Sequence, residues 1–296
     1  MVDARTLAKP TPIWNVRLPF QSRWWLRFRR NRGAIVGGFI VGLFIVIAIL
    51  APVIRPYDPI AQNLSIAQQP PNAQHLLGTD ELGRDILSRI LVGAQISLII
   101  TAGAVAVGLL VGTAIGLVSG LYGGVVDAIF MRFMDVLLAF PGILLAITII
   151  AVTGPGTGSL VFAIGVSSIP IFARVARGST MLVNSMEYVS AARATGVSDW
   201  GLIRRHITPN IVGPLIVQSS VRLATAILAA SGLSFLGLGP QPPSPEWGAM
   251  LSTGRSYLTS APYIAVMPGL AIMLVVFGFN LLGDGLRDAF DPHRAE

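Results

Sequence analysis

The sequence predicts an all-α polytopic membrane protein with six transmembrane helices, and three observations carry that expectation. Hydrophobic residues make up 53% of the 296 and charged residues only 12%, about half the charged share of an ordinary soluble domain. The mean hydropathy of +0.71 exceeds what a water-facing surface hides. The remaining charges are gathered between long apolar runs, as they must be if an ionised group at mid-bilayer costs at least ~2.5 kcal/mol.

Taken in chain order, residues 33–54 carry no formal charge and are long enough for one helix across a hydrocarbon core of about 30 Å. This apolar stretch is longer than the ~7 to 15 residues of a secretory signal core and follows a basic tail over 1–32, so it is expected as an uncleaved anchor. Within that tail Arg27, Arg29, Arg30 and Arg32 lie beside Trp24, Trp25 and Phe28. Trp and Arg before a span read as an interfacial anchor on anionic lipid rather than a nucleic-acid patch.

The second span is expected at about 94–120. Gly108, Gly112, Gly116 and Gly120 recur there every fourth residue, a helix face with no side chain that lets a neighbour approach closely. Residues 136–173 read as a helical hairpin, spans three and four, broken at the glycine-rich 154–158. The fifth span runs from Pro209 to about 232 with a single charge, Arg222, and the sixth covers 262–282.

An even number of crossings returns both termini to one side. Placing them inside leaves only Arg55, Arg84, Arg89 and Arg255 to the outer loops, so both ends are expected in the cytoplasm. The chain then divides into a cytoplasmic tail 1–32, a transmembrane domain 33–282 and a cytoplasmic tail 283–296. Residues 174–209 form an inner loop, and 55–90 and 233–261 form outer ones.

Much chemistry is excluded. There is no cysteine, hence no disulfide or thiolate site. Lys9 is the only lysine, so there is no P-loop to bind a nucleotide. His75, His206 and His293 lie in separate segments without a second ligand at metal spacing. The acidic residues avoid the spans, leaving no intramembrane acid pair for catalysis or proton relay. No catalytic residue, metal site or cofactor is therefore assigned to this chain.

The strongest local grammar lies between spans four and five. Asn184 and Glu187 have capping-box spacing, Gly196 suits the left-handed residue that ends a helix, and Ser198 suits the cap of a second helix. Arg204, Arg205 and His206 then complement the negative end of that helix before Pro209 stops it. Spacing alone leaves two readings, a solvated connector or a docking device.

These residues resemble a family. Ala191, Ala192, Gly196 and Pro209 fall in register with the signature E-A-A-x3-G-x9-I-x-L-P of ABC importer permeases, with Ser190, His206 and Thr208 where Glu, Ile and Leu are usual. Further stretches are similar to the C-type subunit of the dipeptide, oligopeptide and nickel branch. They include Gly-Thr-Asp-Glu-Leu-Gly-Arg-Asp at 78–85, Met-Asp-Val-Leu-Leu-Ala-Phe-Pro at 134–141 and Pro-Glu-Trp-Gly at 245–248.

The resemblance implies the type I importer permease fold in a bacterial cytoplasmic membrane and no ATPase site of the chain's own. Its implied partners are a second (B-type) permease, two ATPase subunits holding ATP and Mg, and an extracytoplasmic solute-binding protein. Cargo would be a dipeptide, with oligopeptide, glutathione or nickel as alternatives. The resemblance also implies that Glu187, Ala191, Ala192, Gly196, Arg204 and Pro209 belong to an ATPase-coupling loop.

Arg222, deep in the fifth span, is a candidate pathway residue for a carboxylate; a structural arginine bonded to carbonyls or to the partner permease is the other reading. The proline-rich 240–245 followed by Glu246 and Trp247 is a candidate docking surface for the binding protein, or else a cap on the bundle. An ATP-independent channel or secondary carrier is the alternative function.

Overall fold

The computed structural model describes Arg29 and residues 31–290. The anchor residues Trp24, Trp25, Arg27, Phe28 and Arg30, and the end of the C-terminal tail with His293, lie outside the described residues.

Ten α-helices occur among the described residues, without strands; an isolated bridge pairs Thr79 with Asp85. In chain order they are α1 (Arg32–Ile54), α2 (Ile86–Tyr122), α3 (Gly124–Ala139), α4 (Gly142–Thr153), α5 (Thr157–Asn184), α6 (Glu187–Ala194), α7 (Asp199–Leu202), α8 (Thr208–Phe235), α9 (Trp247–Gly254) and α10 (Tyr263–Phe290). Five helical segments are long and apolar enough to cross a membrane, and the pair α3–α4 qualifies as a sixth only when taken together.

That pair corrects the expectation that the first arm of the hairpin over 136–173 is unbroken up to 154. The two helices meet at 90°, and α4, at 12 residues, reaches only about 18 Å. The cause is Pro141. It has no amide hydrogen and disfavours helical geometry in the preceding residue, and Phe140 accordingly adopts φ −90°, ψ 134°.

Two hydrophobic cores share α2 and α8. One gathers Ile100, Ala104, Ile150, Leu160, Phe172 and Leu233 from α2, α4, α5 and α8. The other gathers Phe44, Ala94, Ile227, Trp247, Ile272 and Phe279 from α1, α2 and α8 to α10.

The most extensive helix contact joins α2 to α5, and the glycine face of α2 makes it. A β-carbon at Gly112 would stand 2.6 Å from the Ile169 carbonyl oxygen, and one at Gly116 2.5 Å from that of Ala173. Added β-carbons at Gly108 and Gly120 would collide with Ser168 and Thr180. Backbone here lies on backbone, the geometry that substitutes for a hydrophobic driving force in lipid. On α1 only Gly37 does the same, against α10; Gly42 meets nothing.

At the end of the bundle that carries α9, residues 78–89 fold into a buried ionic knot. Asp80 accepts from the amides of Leu82 and Arg84 and from Arg84 Nε, while Arg84 Nη2 reaches Glu81 at 2.7 Å. Arg89 donates to the Pro59 carbonyl. Asp85 caps α2 through the Ser88 amide and pairs with His75 Nδ1 at 2.9 Å. Charged groups with these low exposures persist only when paired and hydrogen-bonded. Burial and the neighbouring Asp80 push the Glu81 carboxyl above its ordinary range.

Candidate functional site

Two places in the bundle carry the residues singled out by sequence. The first is the exposed elbow of α6 and α7, between α5 and α8. Its turn is made by Gly196 at φ +85°, where a side chain is strained. The Gly196 amide donates to the Arg193 carbonyl and that of Val197 to Ala192, which closes the last turn of α6. Ser198 then caps α7, accepting from the Gly201 amide at 3.3 Å.

Two local expectations are corrected. The capping box between Asn184 and Glu187 does not form. Helix α5 runs on through Asn184, so Met186 takes the cap position without a side-chain bond, and Asn184 Oδ1 accepts from Arg193 Nη2 instead. Nor does Pro209 stop the second helix. A π turn over Ile203–Ile207 follows α7 and runs directly into α8. The wider turn precedes Pro209, so the helix continues past a residue that has no amide hydrogen to donate to the preceding turn.

The elbow is fastened from within and bare without. Val189, Leu202 and Ile207 are buried in the same core as the α2–α5 seam. Asn210 Nδ2 donates to the Tyr188 hydroxyl at 3.1 Å, tying α6 to α8. On the outer side Glu187, Ala191, Arg204 and Pro209 are exposed, with Ala192 partly so. Trp200 is 69% exposed, an apolar surface that sequence reading did not single out although its flanking Asp199 and Gly201 mark the same turn. Small residues, one indole and adjacent guanidinium groups suit docking into a groove of another protein.

The second place is a cavity of about 430 Å³ beside the α3–α4 bend. Its wall includes Phe140, Pro141 and Gly142 at the bend, Ser167 on α5, and Arg222 halfway along α8. Arg222 Nη2 donates to Ser168 Oγ at 2.6 Å, and that hydroxyl donates in turn to the Ile164 carbonyl. The partner Ser168 was not among the residues picked out by sequence, because nothing in a serine inside an apolar run announces a tertiary contact.

Glu246 and Trp247 correct the expectation of a docking surface, since both are 0% exposed. Glu246 caps α9 through the Ala249 amide at 2.9 Å. Burial raises its carboxyl against the opposing pull of the Gly248 and Ala249 amides. The Trp247 indole donates to the Ile90 carbonyl at 3.1 Å, lies against Gly93 and meets Phe44 edge-on at 5.8 Å. These side chains close the end of the bundle, because a proline-rich segment that turns back over the helix ends buries whatever aromatic it carries. Among the described residues no cluster of three metal-ligating side chains occurs.

A bundle that crosses the bilayer, keeps a cavity with one arginine at mid-depth and exposes a two-helix elbow defines a membrane permease built to engage another protein. Residues 112–296 match the family described as binding-protein-dependent transport system inner membrane component. Residues 20–71 match the N-terminal transmembrane domain of oligopeptide transport permease C. The chain is 49% identical over 295 residues to the glutathione transport system permease protein GsiD of Shigella boydii, covering 99% of this chain and 95% of the relative. The protein of that name from Pectobacterium atrosepticum is 48% identical over 281 residues, 94% of this chain and 92% of the relative. The MetNI methionine ABC transporter in an inward-facing conformation shares the fold, with a TM-score of 0.54 over 69% of this chain and 96% of that chain at 16% identity. This chain belongs to the family of inner-membrane components of binding-protein-dependent transport systems, as a permease subunit of an ABC importer.

Proposed function

We propose that the chain forms, with a second permease, the membrane pathway of an importer whose cargo is a peptide. Dipeptides, longer oligopeptides and glutathione are the candidates. Similarity to permeases of glutathione transport over nearly the whole chain supports the peptide class. Two partner ATPases holding ATP and Mg drive the cycle, this chain has no ATPase site, and an extracytoplasmic binding protein delivers the cargo. Both termini and the elbow face the cytoplasm, the side favoured by the arginine distribution.

The elbow is the coupling element in this reading. The observation that carries it is its construction: exposed Ala191, Arg204 and Trp200 outside, and Val189, Leu202 and Ile207 buried in the core of the α2–α5 seam. A helix pair fixed at both membrane ends transmits ATPase closure as a rigid-body displacement. Gly196 at φ +85° sets its angle, and a β-branched residue there costs about 1 to 2 kcal/mol. In the reconstituted importer Gly196→Val is expected to keep assembly and lower uptake per ATP hydrolysed. Wild-type coupling in that variant rejects the elbow as the transmitting element, and uptake by this chain without ATPases rejects the importer reading itself.

A further inference from the structure

Resting on the peptide-permease reading, we propose that Arg222 and the start of α4 form a carboxylate-binding station inside the membrane, which the cargo occupies on its way through. The guanidinium is half-buried at the middle of α8, where a charge is retained only at a cost. Its Nη2 is held by Ser168 Oγ at 2.6 Å, whereas its Nε is buried with no partner among the described residues, and no carboxylate there pairs with it. Of the five N–H donors in its rigid fork, Ser168 takes one and the buried Nε withholds another, which leaves those of Nη1 and the second of Nη2 for a ligand.

The second observation is the other charge on the same wall. Helix α4 starts at the cavity with Pro141 as its cap and no side chain bonded to its first amides. The positive end of a helix and a guanidinium thus line one space, and both favour an anion. The rest of the lining is apolar or hydroxylic, with no carboxylate, imidazole or thiol. A divalent cation has no ligand in it and an amine has no counter-charge, whereas a peptide carboxylate meets the fork in the geometry guanidinium prefers. Apolar walls accept varied side chains without fixing them, so the station reads the carboxylate that peptides share.

The test uses the complete importer reconstituted with its second permease, ATPases and binding protein, the last saturated in turn with trialanine and with trialanine amide. Uptake per ATP hydrolysed gives an acid-to-amide ratio, and the binding protein's own preference cancels when the ratio is compared between wild type and variant. Arg222→Gln is expected to lower the ratio about tenfold, the size of one charge-assisted hydrogen bond, with a smaller drop for Arg222→Lys. An unchanged ratio overturns the station, including the case where both rates fall together, as they would for an arginine that only pairs with the second permease. If Arg222→Gln does not assemble, Arg222→Lys decides by the same ratio. Failure of wild type to take up trialanine, a dipeptide or glutathione with ATP sinks the peptide reading instead.

Discussion

The seam between α2 and α5 brings main chain against main chain, whereas the bent pair α3–α4 buries few of its side chains. Along the seam, β-carbons at any of four glycines would run into the facing helix. In the bent pair α3 buries only Met134, and α4 only Ala146 and Ile150. Two ion pairs supplement them, Arg177 with Asp127 and Arg174 with Asp135. Contacts of the first kind fail abruptly when a methyl group is added, because backbone has nowhere to relax; those of the second kind yield by degrees. The elbow is fastened to the seam and the cavity opens beside the bent pair, so under the proposed function the motor would meet the unyielding part and the cargo would pass beside the adaptable one.

The largest effect is expected where the seam is tightest. Gly112→Leu forces a side chain into the Ile169 carbonyl and Phe172, and is expected to cost about 3 kcal/mol or more. The measurement is the yield of folded subunit in membranes and the thermal midpoint of the detergent-solubilised importer. Gly42→Leu, at a glycine of α1 that meets nothing, serves as the matched control and is expected to leave both unchanged. Equal behaviour of the two variants breaks the distinction between backbone contact and mere glycine content.

The bent pair answers on a smaller scale. Arg177 grips Asp127 with two bonds of 2.5 Å, from Nε and Nη2 to the two carboxylate oxygens, a bidentate geometry stronger than a single contact. Asp127→Asn keeps the shape and removes the charge, and is expected to cost about 1 kcal/mol in thermal unfolding. A cycle with Arg177→Gln isolates the pair, since the double variant should then lose little more than either single one. Full additivity shows that the pair does not hold α3.

What was legible in the sequence follows from how general the governing rule is. The spans announced themselves because hydrocarbon imposes one requirement on every crossing segment, and charge-free length reports it directly. A four-residue period of glycines on α2 likewise needs no knowledge of its partner, and Gly196 and Ser198 carry their backbone preferences with them. The failures are of another kind. Hydropathy is continuous through Phe140 and Pro141, so the bend was hidden behind apolar side chains although the proline itself was the signal. Asn184 has the right spacing for a cap but stays inside α5, because helix continuation there wins over a local side-chain bond. Composition told that 233–261 is no span, yet not that Trp247 turns inward onto Gly93. The knot of Asp80, Arg84 and Arg89 was visible as a string of charges, while its pairing depends on a turn closed by tertiary contacts.

The smallest effect sharpens the comparison from below. Arg174 and Asp135 also join α5 to α3, at 2.7 Å, but both side chains are more than half exposed. Solvent screening and the entropy of fixing two flexible side chains cancel most of such a pair, so Arg174→Gln is expected to shift stability by less than about 0.5 kcal/mol. That shift should shrink further at high salt, whereas the loss in Asp127→Asn should be less sensitive because Arg177 and Asp127 form the more enclosed pair. Thermal unfolding of both variants at low and high ionic strength measures the contrast. If Arg174→Gln destabilises as much as Asp127→Asn, α3 is held by its charges in general rather than by the one bidentate grip, and enclosure is not what ranks the two pairs.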